Sequence, residues 1–201
     1  MPRLIEREGY IGPQTSVKMP PDFGRFNCLS GVVATAANTL CGLGDDGRID
    51  EFDIYSQPLD GPRRSFSLAS MPGIVERVAR IRHLPIYYYQ ESVAYRRRIF
   101  RESIQGHIST GELVHLSLYG DRWKKEVYGK ITKNGLAHAI LVTGFSESGR
   151  KVSFQICDPW SRLCLMIPDE AVFKSVFGSN LGLLGEVLPG MSIPLSIFGL
   201  K

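Results

Sequence analysis

Residues 137–160 read AHAILVTGFSESGRKVSFQICDPW, and the fold class follows from this stretch. Two runs rich in Val, Ile, Phe and Thr, AHAILVTGF from Ala137 and KVSFQIC from Lys151, flank the polar SESGR, which is the pattern of two strands joined by a turn. The spacing predicts an antiparallel hairpin with its turn centred on Ser148. In that register His138 stands directly opposite Asp158, and cross-strand partners on one face have Cβ atoms roughly 4.5 to 5.5 Å apart. A carboxylate would then reach an imidazole without any loop having to close. A slip of one residue would send the two side chains to opposite faces of the sheet, so the pairing is a sharp expectation. Cys157 should point away from both.

Working outward, LVHLSLY at 113–119 reads as a further strand and PDEAVFKSVF from Pro168 as a short helix. Pro72 opens GIVERVARIRHL, where Ile74, Val75, Val78, Ile81 and Leu84 recur at three and four, the mark of an amphipathic helix. A second helix is expected over 92–110, with Ile99, Phe100, Ser103, Ile104 and Ile108 inward, ended by Gly111. The run LSGVVATAANTL at 29–40 carries no charge and is apolar nearly all round, so it predicts a helix buried on several sides. Asn27 can cap that helix, which sets Cys28 at its N-terminus. Residues 1–27 read as an extended lead-in, 45–70 as irregular, and the tail GMSIPLSIFGLK as apolar but broken by Gly and Pro. These elements define an α+β chain, taken as one domain over 1–201: a buried helix carrying Cys28, packed on an antiparallel sheet carrying His138 and Asp158.

Composition narrows the class. The 201 residues are 43% hydrophobic and 22% charged, with 24 Lys+Arg against 20 Asp+Glu, which excludes disorder and collagen. A chain of this size buries roughly 70% of its unfolded surface and needs no disulfide or metal to fold. The net charge of +4 is spread along the chain and does not indicate nucleic-acid binding. The four cysteines, Cys28, Cys41, Cys157 and Cys164, lack the two-residue spacing of a zinc knuckle or redox dithiol, so neither a metal, a cofactor nor a disulfide framework is expected. The opening MPRLIEREGY has no apolar core of a secretory signal, and no run is long enough to span a membrane. Synthesis in the cytoplasm with reduced thiols is the expectation.

Chemistry points to Cys28. A helix N-terminus favours negative charge and a nearby imidazolium adds to this, so Cys28 beside an oriented His138 would carry a thiolate. The oxyanion of a tetrahedral intermediate needs donors: the Cys28 backbone N–H is one, and a side-chain amide of Gln14 or Asn27 could supply another. A cysteine on an apolar helix ordinarily just packs. What lifts Cys28 above that reading is the presence of His138 and Asp158 in matching order. His83, His107 and His115 show no comparable partners. In GDDGRIDEFD, a calcium-loop alignment on Gly47 puts glycines at the first and third ligand positions, which rejects it. The run Arg96, Arg97, Arg98 and Arg101 reads as a solvated helix face, and Tyr87, Tyr88 and Tyr89 as strand packing or a cleft wall.

These residues resemble a family. A Cys opening a buried helix, a glycine-led strand (GELVHLSL), a strand beginning with His (GLAHAILVTGF) and a strand ending in Asp-Pro (VSFQICDPW), with twenty residues from His to Asp, look like the papain-like fold. They are most similar to C39-type peptidases and the related C70 effector proteases of bacteria. The resemblance implies Cys28 as nucleophile, His138 as general base and then acid, Asp158 as the orienting residue, no cofactor, and a protein or peptide substrate. For effector-type members it further implies a toxin exported by a specialised secretion system and matched by a cognate inhibitor. The same triad also serves acyl transfer and deamidation, and a non-catalytic binding module that retains the fold is the rival from another class.

Overall fold

The computed structural model describes residues 3–5, 28–44, 47–50, 53–54, 71–129, 137–161, 163–176 and 192–201. Strands β1 (Arg3–Ile5), β2 (Ile86–Ala94), β3 (Leu113–Tyr119), β4 (Ala137–Ser148), β5 (Lys151–Asp158), β6 (Leu163–Pro168) and β7 (Ser192–Leu200) form one sheet. Its order is β2-β7-β3-β4-β5-β6, with β1 also pairing to β4, and every pairing is antiparallel. The helices are α1 (Cys28–Cys41), α2 (Met71–Ile81), α3 (Arg97–Thr110), α4 (Gly120–Tyr128) and α5 (Asp169–Ser175).

The sheet is buried on both faces at its centre, as the near-continuous apolar run from Ala139 to Phe145 requires. One core joins α1 and α2 to the sheet through Val32, Val33, Ile74, Val75, Leu141 and Phe198. The other packs Phe100 and Ile104 of α3, Trp123 of α4 and Val172 of α5 against Val142 and Phe154. Helix α1 is fixed at both levels expected of an uncharged buried helix. Its apolar side chains fill the first core, and its buried Asn38 clamps the passing chain, donating to the Ile49 carbonyl at 2.8 Å and accepting from the Ile49 N–H at 2.9 Å. Removing that amide would leave two buried backbone groups unpaired, at about 1–3 kcal/mol each.

Four expectations need correction. The helix expected from Ser92 begins at Arg97, because Gln90 to Ala94 pair with β7 and the chain then bends at Tyr95 before the extended Arg96. The tail expected to be broken is the nine-residue strand β7, where Pro194 pairs with β2 alone, beyond the end of the ladder with β3, and Ile193, Leu195 and Ile197 stay buried in the core. Helix α4 and strand β6 were not expected from the sequence. Cysteines 157 and 164, expected to be reduced, are directly opposed across β5 and β6 and form a disulfide; a seven-residue separation conceals that proximity unless β6 is recognised as a strand. Cys28 and Cys41 are the free cysteines. No helix among the described residues is long and apolar enough to cross a membrane.

Candidate active site

The hairpin that carries the site is built differently from the simplest expectation. Ser148 pairs with Lys151, so the turn is the two residues Gly149 and Arg150, with Gly149 at φ 61°, the left-handed region that such turns require. That register runs unbroken from Ser148↔Lys151 to Gly144↔Gln155. Continued without interruption, it would put His138 and Asp158 on opposite faces. A β-bulge between Val142 and Gly144 inserts Thr143, after which Val142 pairs with Ile156 and Leu141 with Cys157. The one-residue shift brings His138 and Asp158 to the same face. They are not directly opposed, as the sequence suggested, but stand as diagonal neighbours, close enough for ring and carboxylate to touch.

His138 Nε2 and Asp158 Oδ1 are 2.8 Å apart, and both side chains are buried. A carboxylate with 0% exposure needs its lone pairs filled, and four donors fill them. Oδ1 accepts from His138 and from the Trp160 backbone N–H at 2.8 Å; Oδ2 accepts from Trp123 Nε1 at 2.7 Å and the Tyr128 hydroxyl at 2.8 Å. Burial pushes the Asp158 carboxyl upward, but the bonds and charge of His138, followed by Trp123 and Trp160, outweigh it and hold its pKa below the ordinary value. The carboxylate in turn pushes the Tyr128 hydroxyl well above its usual range, together with the larger effect of burial.

On the ring's other side, Cys28 opens α1 with 8% of its surface exposed. Burial alone would lower the His138 pKa. Hydrogen bonds to Asp158 and Cys28, and the charges of both, push it up instead, to about 9. With Nε2 held by Asp158, Nδ1 is the nitrogen left for the sulfur. The Trp160 indole stacks on the imidazole, centroids 4.2 Å apart and planes 20° apart. The structure thus brings together Cys28, His138 and Asp158, three residues far apart in the chain. Gln14 and Asn27 lie outside the described residues. The first N–H groups of α1, beginning at Cys28, have no intrahelical partners and are suited to a developing oxyanion.

The sequence missed the anchors. Trp123 and Tyr128 lie on α4, and their signal was the spacing of Trp123 and Val127 on a nine-residue segment between polar residues. Of the other histidines, His107 alone differs from expectation. His107 has two partners, Glu112 at 2.7 Å on Nδ1 and Glu91 at 2.8 Å on Nε2. His115 is buried in β3 with no hydrogen-bond partner on either nitrogen among the described residues, and burial, then the His138 charge, lower its pKa to about 3. His83 follows α2 with φ 53°. Among the described residues no group of three or more His, Cys, Asp or Glu could hold a metal.

A helix-borne cysteine, a strand-borne histidine and a neighbouring strand's aspartate on an antiparallel sheet define an α+β fold of the papain-like, C39 type. Comparison with known proteins agrees at the level of fold. Over 96% of its length the chain is similar to 98% of a Bacillus anthracis protein described as a "putative C39-like peptidase", with a TM-score of 0.50 and 13% identity. No family model matches the sequence, and no curated protein does. The likeness is one of fold.

Proposed function

We propose that the protein is a cysteine peptidase with Cys28 as nucleophile, His138 as acid and base, and Asp158 as the residue that orients His138. The supporting observation is the convergence of the three side chains, with the imidazole fixed by a fully bonded carboxylate on one nitrogen and coupled to the sulfur on the other. The Cys28 sulfur attacks a peptide carbonyl, forming a C–S bond as the carbonyl electrons move to oxygen, where the N–H groups at the start of α1 receive them. Collapse breaks the C–N bond, and the His138 proton goes to the departing amine. Water then gives a proton to His138 and its oxygen to the thioester, releasing a carboxylic acid and the sulfur. Gln14 and Asn27 remain the candidates for a side-chain oxyanion donor. A protein substrate is part of this proposal, and so are, on the resemblance alone, the effector role and a cognate inhibitor.

Replacing Cys28 with Ala should lower turnover by at least about a thousandfold while far-UV circular dichroism stays unchanged. Unaltered turnover would remove Cys28 from the reaction. Mass spectrometry of a treated lysate separates the chemistries of one triad: new peptide termini for hydrolysis, crosslinks for acyl transfer, and a one-dalton gain for deamidation. An absence of all three with wild type would leave the non-catalytic binding module.

A further inference from the structure

The stack on His138 has a second layer. Lys124 Nζ stands 3.8 Å from the centre of the Trp160 ring, whose other neighbour is the imidazole at 4.2 Å between centroids. One face of an indole has no room for both at those distances, so the ring lies between them. Cys28, His138 and Asp158 are buried, whereas Trp160 and Lys124 are half-buried. The indole and its ammonium therefore form a partly exposed layer over one face of the buried imidazole.

The charge on Lys124 is not matched there. Arg97 pairs with Asp169 at 2.7 Å and Glu170 at 3.3 Å, and Lys174 pairs with Glu170 at 2.8 Å. Arg122, on the same helix as Lys124, donates to the Lys174 carbonyl. No carboxylate among the described residues pairs with Lys124. Its contact with the π face holds the ammonium in place and removes part of its water without neutralising it, since a cation–π contact leaves the full charge on the nitrogen. A localised, partly dehydrated cation beside a reacting centre is suited to receive an anion.

We propose that Lys124 is a specificity-determining residue, whose ammonium, seated on the outer face of Trp160, receives a carboxylate of the substrate chain close to the bond that Cys28 attacks. The inference rests on the peptidase reading and goes beyond it by naming an acidic peptide as the substrate class. An Asp or Glu side chain near the scissile bond, or a free C-terminus, offers the same chemistry.

A proteome-derived peptide mixture, digested in parallel by wild type, Lys124→Met and Lys124→Glu, tests it with cleavage sites read by mass spectrometry. Far-UV circular dichroism confirms that both variants are folded. Wild type should enrich acidic residues at one position near the cut by about tenfold, the worth of one partly desolvated charge pair. A requirement for a C-terminal carboxylate would instead appear as cuts at a fixed distance from peptide ends. Lys124→Met should abolish the preference, and Lys124→Glu should reverse it toward Lys and Arg. Cleavage by wild type without acidic preference, or the same pattern in all three proteins, overturns the role of Lys124 and leaves the peptidase standing. No cleavage by wild type overturns both.

Discussion

His138 and His107 are each held by carboxylate at 2.7–2.8 Å, and the difference between them lies in the second nitrogen. His107 bridges Glu91 of β2 and Glu112, just before β3, so both ring nitrogens are committed. Glu112 is further bound by the Tyr87 hydroxyl at 2.6 Å, and Ser103 donates to Glu91 at 3.1 Å. That ring is a strut between α3 and the edge of the sheet, with no lone pair left for a substrate. His138 has one nitrogen on Asp158 and the other facing Cys28, so it can pass a proton. A histidine–carboxylate contact therefore does not by itself set one ring apart from the other; the thiol on the second nitrogen does.

The largest effect should come from Asp158→Asn. The carboxylate selects the tautomer and sustains the raised His138 pKa, so the amide should lower turnover by about a thousandfold or more, as loss of a triad carboxylate does elsewhere. It should also destabilise the fold, since an amide has one acceptor oxygen: whichever donor pair that oxygen serves, Trp123 with Tyr128 or His138 with the Trp160 N–H, the NH2 is left facing the other. The comparison predicts a pH signature as well. A histidine whose folded pKa is raised gives stability that is complete below about 6.5, its unfolded value, and is lost as pH rises through about 9. Thermal melts of wild type between pH 6 and 10 should fall across that window, and those of Asp158→Asn should fall earlier or hardly at all. Equal melting profiles would break the link between carboxylate and ring.

A smaller effect belongs to the third histidine, which has no hydrogen-bond partner among the described residues. His115 is neutral in the fold, with a pKa near 3, so below about 6.5 the unfolded chain takes up a proton that the folded chain refuses, and stability falls as pH falls. Groups facing it include His138, whose charge opposes its own, while Leu141 and Ser196 are its strand partners. His115→Leu should remove this acid sensitivity, by on the order of 3 kcal/mol at pH 4, with little change at pH 8. Urea titrations at both pH values provide the measurement, and an equal effect at both would show that packing, not protonation, governs the site.

The smallest effect on activity should be that of His107→Gln. Turnover should stay within about twofold, while stability falls by about 2 kcal/mol through lost charge-assisted bonds. Burial opposes the raised His107 pKa, but Glu112 and Glu91 prevail; for Glu112 burial is likewise overcome, by Tyr87 and His107, and the carboxyl is held low. The cation's contribution is complete below about 6.5 and is lost as pH rises through its folded value, and the carboxylate's is present above about 4.5 and lost as pH falls. The variant should therefore differ most from wild type between those limits. A large loss of turnover would place His107 in the reaction and dissolve the contrast with His138.

The parts of this arrangement legible in the sequence were those set by a single period. The uncharged run at 29–40 could only be a buried helix, and the apolar stretches at 137–145 and 151–157 could only be strands, so Cys28, His138 and Asp158 were found together. What was hidden depends on pairing between distant segments. Strands β2 and β7 look weak alone, since Tyr87–Tyr89 and Pro194 fit several readings, and they stabilise each other along nine partners. The register was also misjudged, because SESGR does not reveal a two-residue turn. One cue was present: Gly144 in the interior of a largely apolar strand marks a bulge. Trp123 and Tyr128 escaped because a nine-residue polar helix has too few turns to show a face, although it delivers both donors to Asp158.

The inserted Thr143 has a bearing on how such proteins are recognised. In a hairpin with a two-residue turn and no bulge, residues of the two strands that share a face are separated along the chain by an odd count; here His138 and Asp158 are separated by 20. An even interval is thus the arithmetic trace of one extra strand residue. A hairpin lacking that residue would build the same contact at an interval of 19, so a motif scan that insists on one fixed interval passes over molecules with the same histidine–carboxylate pair.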